Sequence, residues 1–155
     1  MTKLIGIFML VFFIGLTFSI AHAQERKIKR AQLPPAVEKT VAKESEGAEI
    51  KGFATEVEHR QKLYEASLIV NGHSKDILID KNGDIVEIEE EVSMDSLPAT
   101  VQNALKKAAG LGTIQVVESL TKNGKLVAYE AQVKHGKKRS EIQVGPNGEK
   151  LKHEE

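Results

Sequence analysis

The chain carries the same order of motifs twice. Each copy opens with Leu-Pro and continues with Tyr-Glu-Ala and then with Asn-Gly. These motifs lie at 33–34, 64–66 and 82–83 in the first copy, and at 97–98, 129–131 and 147–148 in the second. A period this long indicates a duplicated small domain and not a solenoid of short repeats. We therefore expect two related structural units.

The first 23 residues have the features of a secretory signal peptide. Lys3 precedes an apolar run that extends from Leu4 to Ala21. Small residues at Ala21 and Ala23 occupy the positions that signal peptidase reads, so we predict cleavage between Ala23 and Gln24 and a periplasmic or secreted protein. The run is also nearly long enough to span a bilayer. A retained anchor, with the membrane as a partner, is the alternative.

Composition beyond the signal limits both the core and the chemistry. The aromatic side chains that remain are Phe53, Tyr64 and Tyr129, so the core is expected to be aliphatic. A unit of about 60 residues buries too little surface to be stable alone, and we expect the copies to pack on each other. The chain contains no cysteine, which excludes disulfides, thiol catalysis, zinc knuckles and haem attachment.

Charge is distributed unevenly, although the full chain is neutral. Residues 24–30 carry four basic and one acidic side chain (+3), residues 31–95 carry seven basic and fifteen acidic (−8), and residues 96–155 carry ten basic and six acidic (+4). One interpretation is drift on solvated surfaces. The other is that the two oppositely charged halves attract each other, or that they present a surface with an acidic and a basic region to a partner.

Apolar spacing predicts one helix at the start of each copy. An apolar residue recurs at every fourth position from Leu33 to Val41, next to a proline, and this pattern favours a helix over 34–46. The second copy repeats the stripe from Leu97 to Ala108, with a glycine placed to end the helix. Each helix is expected to bury one narrow face.

After each helix the apolar period falls to two, which indicates strands with one buried face. Five turn signals, four of them Asn-Gly, mark antiparallel connections. The strands are predicted at 48–58, 62–71, 74–80 and 84–92, and at 113–121, 125–135, 137–144 and 149–153. We therefore predict an α+β fold of two tandem repeats, each a helix packed on a four-stranded antiparallel meander sheet. The predicted division is a signal peptide at 1–23, a basic, disordered N-terminal tether at 24–32, repeat 1 at 33–92, a linker at 93–96 and repeat 2 at 97–155.

This order of features resembles the PepSY-like domains of exported bacterial proteins, which are grouped with the fold of the β-lactamase inhibitory protein. The resemblance rests on Leu-Pro-x-x-Val opening a helix, an isoleucine entering the first strand (Ile50, Ile114), Tyr-Glu-Ala opening a central strand, and an apolar strand ending at Asn-Gly. It covers both copies, although 149–153 is far less apolar than 84–92. It implies a domain that binds or inhibits and does not catalyse; the related inhibitory protein grips an enzyme with the concave face of its sheets.

Two acidic stretches of the first copy could each form either an ion-binding site or an ordinary element of the fold, namely a hairpin turn or an edge strand. Residues 80–84 resemble the start of a calcium loop, but the glycine comes too early and the second copy has lost most of the oxygens, so we predict a hairpin. Glu87, Glu89 and Glu91 share one face of a predicted strand and could bind cations or a basic partner. We predict instead a solvated edge strand that its charges protect from aggregation.

Basic clusters at 26–30 and 134–139 could contact phosphates or anionic lipid. Nucleic acid is not expected as a partner, because few aromatic side chains remain for base stacking. The histidines beyond the predicted signal peptide fall at strand ends or turns and lack the spacing of metal ligands, at His59, His73, His135 and His153. We predict that they lie at the surface, and we predict no cofactor.

Together these patterns predict a non-catalytic binding or inhibitory protein whose helix-free sheet faces contact another, unidentified protein. The predicted contact residues are the outward positions Glu65, Ile69, Leu78, Glu130, Gln132, Lys134, Glu141 and Gln143. Ile69 and Leu78 are the most informative pair, because apolar side chains on a wet face indicate a contact patch or packing between repeats. The alternative function is a small-ligand or metal carrier, for calcium or zinc, that uses the acidic copy.

Overall fold

The computed structural model describes residues 26–58, 60–153 and 155. The signal peptide predicted at 1–23 and its cleavage site lie outside the described residues, as does His59. Neither of the described helices has the length and apolarity needed to cross a bilayer.

Eight strands and two helices make up the described fold. The strands are β1 (Arg26–Ile28), β2 (Glu49–Glu58), β3 (Gln61–Val70), β4 (His73–Ile79), β5 (Ile85–Glu91), β6 (Thr113–Lys122), β7 (Lys125–His135) and β8 (Lys138–Val144). The helices are α1 (Pro35–Glu44) and α2 (Ala99–Ala109), each preceded by a short 3-10 turn. Consecutive strands pair antiparallel throughout, so all eight form one sheet in chain order.

The prediction of two separate four-stranded sheets is wrong, because β5 and β6 pair with each other. On β5, Ile88 lies opposite Ile77 of β4 on one side and opposite Thr121 of β6 on the other. β5 is therefore a central strand, and the two repeats share one continuous sheet. An unpaired second edge on β5 would expose a row of backbone donors and acceptors, and pairing with β6 satisfies them. The fold still combines helices with an antiparallel sheet, as an α+β class requires.

The basic segment before α1 joins the sheet, although the sequence predicted a disordered tether. Residues 26–28 form β1 and pair with β2, where Ile28 lies opposite Phe53. Ile28 is half-buried and packs against the apolar cluster under α1. This apolar contact anchors a segment whose composition is otherwise that of a tether. Three residues are too few to show an alternating pattern, so this strand could not be predicted from its apolar spacing.

The strand predicted at 149–153 is absent. The Gly145 N–H donates to the Glu149 carbonyl oxygen at 2.8 Å, which closes a turn, and the described residues beyond it form no strand. The sequence accounts for this difference between the repeats. Sixty-five positions after Ile85 and Ile88 of β5, the chain has a lysine and a histidine, so the apolar face of a fourth strand is missing.

Both helices pack on the same face of the sheet. In α1, Val37 and Val41 are buried and form one apolar cluster with β3 and β4. In α2, Val101 and Leu105 are buried and form a second cluster with β6, β7 and β8. Each pair is spaced i, i+4, so the stripe predicted from the sequence is the buried stripe. The register between β5 and β6 keeps both clusters on one side of the sheet.

The Asn-Gly turns after β4 and β8 touch the helices directly. Gly83 has a φ of +91° and Gly148 a φ of +85°, in the left-handed region that favours glycine. A Cβ on Gly83 would lie 2.7 Å from the Ala36 carbonyl oxygen of α1, and one on Gly148 would lie 2.6 Å from the Thr100 carbonyl oxygen of α2. Each turn therefore needs glycine both for its backbone angle and for its approach to a helix.

Replacing either of these glycines should destabilise the fold more than replacing a glycine in an open turn. We expect Gly83→Ala and Gly148→Ala each to lower the free energy of unfolding by about 2–4 kcal/mol, since strain at positive φ adds to overpacking against the helix. Urea denaturation followed by circular dichroism measures the change. The matched control is Gly72→Ala, where φ is +88° and the added Cβ meets nothing within 4 Å. Equal losses at all three positions would contradict the helix contact.

Candidate protein-binding face

The sheet face opposite the helices, called the helix-free face below, is continuous from β2 to β8. Successive side chains of a strand alternate between its faces, and the register shows which residues share this one. Glu65 lies opposite Leu78, and Glu130 lies opposite Gln143. All the predicted contact residues lie on it, namely Glu65, Ile69, Leu78, Glu130, Gln132, Lys134, Glu141 and Gln143. Their contact with a partner stays a prediction.

The helix-free face is concave. Three strands separate Glu58 on β2 from Lys122 on β6. A flat sheet would set these two strands about 19 Å apart, at about 4.8 Å per strand. The side chains nevertheless meet, with Lys122 Nζ 3.7 Å from Glu58 Oε1. The sheet therefore curls, so that the β2–β3 hairpin and the end of β6 approach each other across this face.

Lys122 links the two repeats through a pair of carboxylates. Its Nζ lies 3.2 Å from Glu87 Oε2 on the neighbouring strand, in addition to its contact with Glu58. Burial opposes the charge, but the carboxylates of Glu87 and Glu58 outweigh burial and raise the pKa of Lys122. A cleft of about 260 Å³ lies beside these three side chains, with Gln61 and Leu63 in its wall. The ion pairs thus hold the curled end of the sheet in place.

Apolar side chains form a buried floor on this face, although neither of the two described helices covers it. Leu63, Leu78 and Leu120 are 3%, 8% and 2% exposed. Curling accounts for their burial, because neighbouring side chains crowd together on a concave surface. Leu78 was expected as an exposed contact residue and instead belongs to this floor. Ile69, further along β3, is half-buried.

The centre of the helix-free face is a cluster of carboxylates. Asp76 lies opposite Glu89, and Glu118 lies opposite Glu130. The pKa of Glu89 is raised from 4.5 to about 8. Burial is the largest cause, followed by repulsion from the charges of Glu130, Glu87, Glu118 and Asp76. The pKa of Glu118 is raised in the same way, by burial and then by Glu130 and Asp76. Glu89 therefore holds its proton at a pH at which an exposed glutamate is ionised.

Sequence reasoning missed this cluster because it treated β5 as an edge strand. Glu87, Glu89 and Glu91 were predicted to be solvated, but β5 is central and the Glu87 side chain is only 12% exposed. Asp76 and Glu118 complete the cluster from the neighbouring strands. The signal in the sequence was the alternation of Val86, Glu87, Ile88 and Glu89, which Glu90 interrupts. That pattern is as typical of a central strand with one polar face as of an edge strand.

The other candidate ion sites have ordinary structural explanations. Asp80 Oδ1 accepts hydrogen bonds from the N–H groups of Asn82 at 2.8 Å and Asp84 at 3.0 Å, and this arrangement is the predicted hairpin turn. The described histidines are exposed, namely His73, His135 and His153. Within 26–58, 60–153 and 155, no group of three or more His, Cys, Asp or Glu side chains could hold a metal ion. No observation on these residues favours the calcium or zinc alternative.

Comparison with known proteins identifies relatives in fold. No protein-family model matches the chain, and no curated protein gives a significant match. A protein from Bacteroides eggerthii DSM 20697, provisionally named periplasmic, matches with a TM-score of 0.62 at 22% identity, over 77% of this chain and 86% of that chain. A DUF2874 family protein from Bacteroides ovatus ATCC 8483 matches with a TM-score of 0.59 at 23% identity, over 77% and 85%.

A BLIP-like protein from Bacteroides fragilis NCTC 9343 also matches, with a TM-score of 0.54 at 22% identity, over 75% of this chain and 81% of that chain. Likeness at this level of identity shows the fold alone. This chain therefore shares its fold with these Bacteroides proteins. The resemblance to tandem PepSY-like domains stays a prediction.

The carboxylate cluster predicts that stability falls as the pH rises. The pKa of Glu89 is about 8 in the folded protein and ordinarily 4.5, so between these values the folded state retains a proton that the unfolded state has lost. The stability that protonated Glu89 contributes is fully present below pH 4.5, the ordinary pKa, and is lost as the pH rises through about 8, the pKa in the folded protein. We therefore expect the melting temperature, measured by circular dichroism, to fall between about pH 5 and about pH 8.5.

Glu89→Gln tests the assignment, because it keeps the shape of the side chain and removes its titration. This variant should have a flatter pH dependence and should melt above the wild type at the alkaline end. Glu46→Gln, on the exposed turn between α1 and β2, is the matched control and should follow the wild type. A wild-type pH profile in Glu89→Gln would contradict the role given to Glu89.

Proposed function

We propose that this protein is an exported, non-catalytic binding protein of the cell envelope, and that its helix-free face docks against another protein. The observation that carries the proposal is the concavity of that face, on which Glu58 and Lys122 meet across three intervening strands. No described element covers the face, so side chains from both repeats converge on the space in front of it. A convex or extended partner fits this shape.

The charge of the face indicates the chemistry of the partner. Carboxylates lie on it from β2 to β8, at Glu56, Glu58, Glu65, Asp76, Glu87, Glu89, Glu91, Glu118, Glu130 and Glu141. Mutual repulsion and burial already raise the pKa values of Glu89 and Glu118. Lysine or arginine side chains of a partner would relieve this repulsion, and we therefore expect a basic partner surface.

The proposed export of the protein and its proposed lack of catalytic activity are supported by different observations. Export rests on the signal peptide predicted at 1–23, and the name of the Bacteroides eggerthii structure agrees with a periplasmic location. The non-catalytic assignment rests on the sequence, which contains no constellation of nucleophile, base and orienting group. The BLIP-like name of the Bacteroides fragilis structure is in keeping with a binding role.

Charge reversal on the helix-free face should abolish capture of the partner. Protein lacking residues 1–23 is immobilised and incubated with an envelope extract of the source organism, and the retained proteins are quantified. Glu65→Lys together with Glu141→Lys, one change in each repeat, should reduce retention at least about tenfold, because like charges then face the basic partner. Both positions keep some exposure, so the circular-dichroism melt should change little.

The matched control applies the same change in net charge away from the face. Glu46→Lys with Asp95→Lys alters two exposed side chains outside the sheet, and retention should equal that of the wild type. Leu78→Glu is unsuitable as a probe, since a carboxylate at a position that is 8% exposed would destabilise the fold. Equal retention by the face variant, the control and the wild type would contradict the proposal.

A further inference from the structure

β8 is an edge of the sheet, and no described residue pairs with its outer side. Its counterpart in the first repeat is β4, because β4 begins at His73 and β8 begins 65 positions later at Lys138. The outer side of β4 is covered by β5. The repeats therefore differ at this place: the first has a further strand, whereas β8 has no strand beside it in the described residues and only its last part is contacted, where the Glu155 N–H donates to Gln143 Oε1 at 2.9 Å.

Hydrogen bonds from β4 show which of its backbone groups face β5. The Ser74 N–H donates to Glu91 Oε2 at 3.1 Å. Beyond the end of the strand, the Asp80 N–H donates to the Asp84 carbonyl oxygen at 2.9 Å. Since backbone N–H groups alternate in direction along an antiparallel strand, the even-numbered residues of β4 donate toward β5.

The same alternation assigns the outward groups of β8. The Gly145 N–H donates to the Glu149 carbonyl oxygen at 2.8 Å, as its counterpart does after β4. The N–H groups of Arg139, Glu141 and Gln143 therefore point away from β7. They form a row of backbone donors of the kind to which an extended chain pairs in β-strand addition.

β5 shows which side chains suit such an edge. On the helix side, Ile85 and Ile88 of β5 extend the apolar cluster under α1. The described cluster under α2 has no such extension and ends at Ile142 and Val144 of β8. Ile142 remains partly exposed. A strand added to β8 would therefore bury its own apolar side chains beside Ile142.

Charge favours an acidic strand at this edge. The β7–β8 hairpin exposes a group of basic side chains, at Lys134, Lys137, Lys138 and Arg139. In the first repeat, Lys75 of β4 lies opposite Glu90 of the acidic strand β5. An acidic side chain of an added strand would pair with these basic side chains.

We propose that the open edge of β8 binds an extended acidic segment of another protein by β-strand addition, in the place that β5 occupies on β4. The segment runs antiparallel to β8, with apolar side chains on the helix side and acidic side chains at its C-terminal end, which lies beside the basic β7–β8 hairpin. This edge is distinct from the helix-free face, so its partner and the basic partner of that face are different proteins or different segments.

A peptide with the sequence of residues 84–92 is the probe, because it reproduces β5 with its flanking residues. It is titrated into the full chain labelled with ¹⁵N and lacking only residues 1–23. We expect saturable binding with shifts of the amide resonances of Arg139, Glu141 and Gln143, and no shifts in β1. Added salt should weaken the binding, because the charges of the hairpin contribute to it.

N-methylated peptides separate strand addition from general charge attraction. In β5 the N–H groups of Glu87 and Glu89 face β4, and those of Ile88 and Glu90 face β6. Methylation of the first pair should weaken binding at least about tenfold, through the loss of two backbone hydrogen bonds. Methylation of the second pair should leave binding unchanged, since those groups point to solvent in the complex.

A change in the protein provides the reciprocal test. Glu141→Pro removes one outward N–H and should weaken peptide binding about fivefold, while pairing with β7 persists, because proline is tolerated at sheet edges. Equal affinity of the two methylated peptides would overturn the proposal, as would shifts confined to the helix-free face. The proposal also fails if sedimentation shows a dimer that excludes the peptide from β8.

Discussion

The antiparallel pairing of β5 with β6 is the constraint on which the rest of the structure depends. The Val92 N–H, directly after β5, donates to the Val117 carbonyl oxygen at 2.9 Å, and Ile88 lies opposite Thr121. Through this pairing, two apolar clusters that are each too small for a stable domain rest on one sheet. Both helices then lie on the same side. The opposite side becomes a single face to which both repeats contribute.

The two halves of the fold share a turn that contacts a helix, and they differ in the side chains of their surface. Gly83 and Gly148 occupy equivalent turns, and each approaches the helix of its own repeat in the same way. The carboxylate cluster has no such symmetry, because Glu89 comes from the first repeat and Glu118 and Glu130 come from the second. The helix-free face therefore belongs to neither repeat alone. The features proposed to bind partners arise where the copies meet or where they differ.

Elements whose signal is local could be predicted from the sequence. The i, i+4 spacing of Val37 and Val41 predicted α1, and three of the four Asn-Gly pairs marked hairpins, because both patterns report the geometry of a few neighbouring residues. The fourth pair, at 147–148, forms a turn that no strand follows in the described residues. The alternation of apolar and polar residues along the strands also assigned every predicted contact residue to the helix-free face, where the register places it. It could not identify the neighbours of β5, since Ile88 and Thr121 are 33 positions apart in sequence. The burial of Leu78 depends on curvature, which is a property of the whole sheet.

Native-state hydrogen exchange of the β5 amides tests the shared strand most directly. The N–H groups of Ile88 and Glu90 face β6, whereas those of Glu87 and Glu89 face β4. A strand paired on both sides predicts that all four amides are protected as strongly as the amides of β3 and β7. If each repeat kept its own sheet, Glu87 and Glu89 would stay protected while Ile88 and Glu90 exchanged as rapidly as exposed amides. That result would contradict the single eight-stranded sheet and the continuous face built on it.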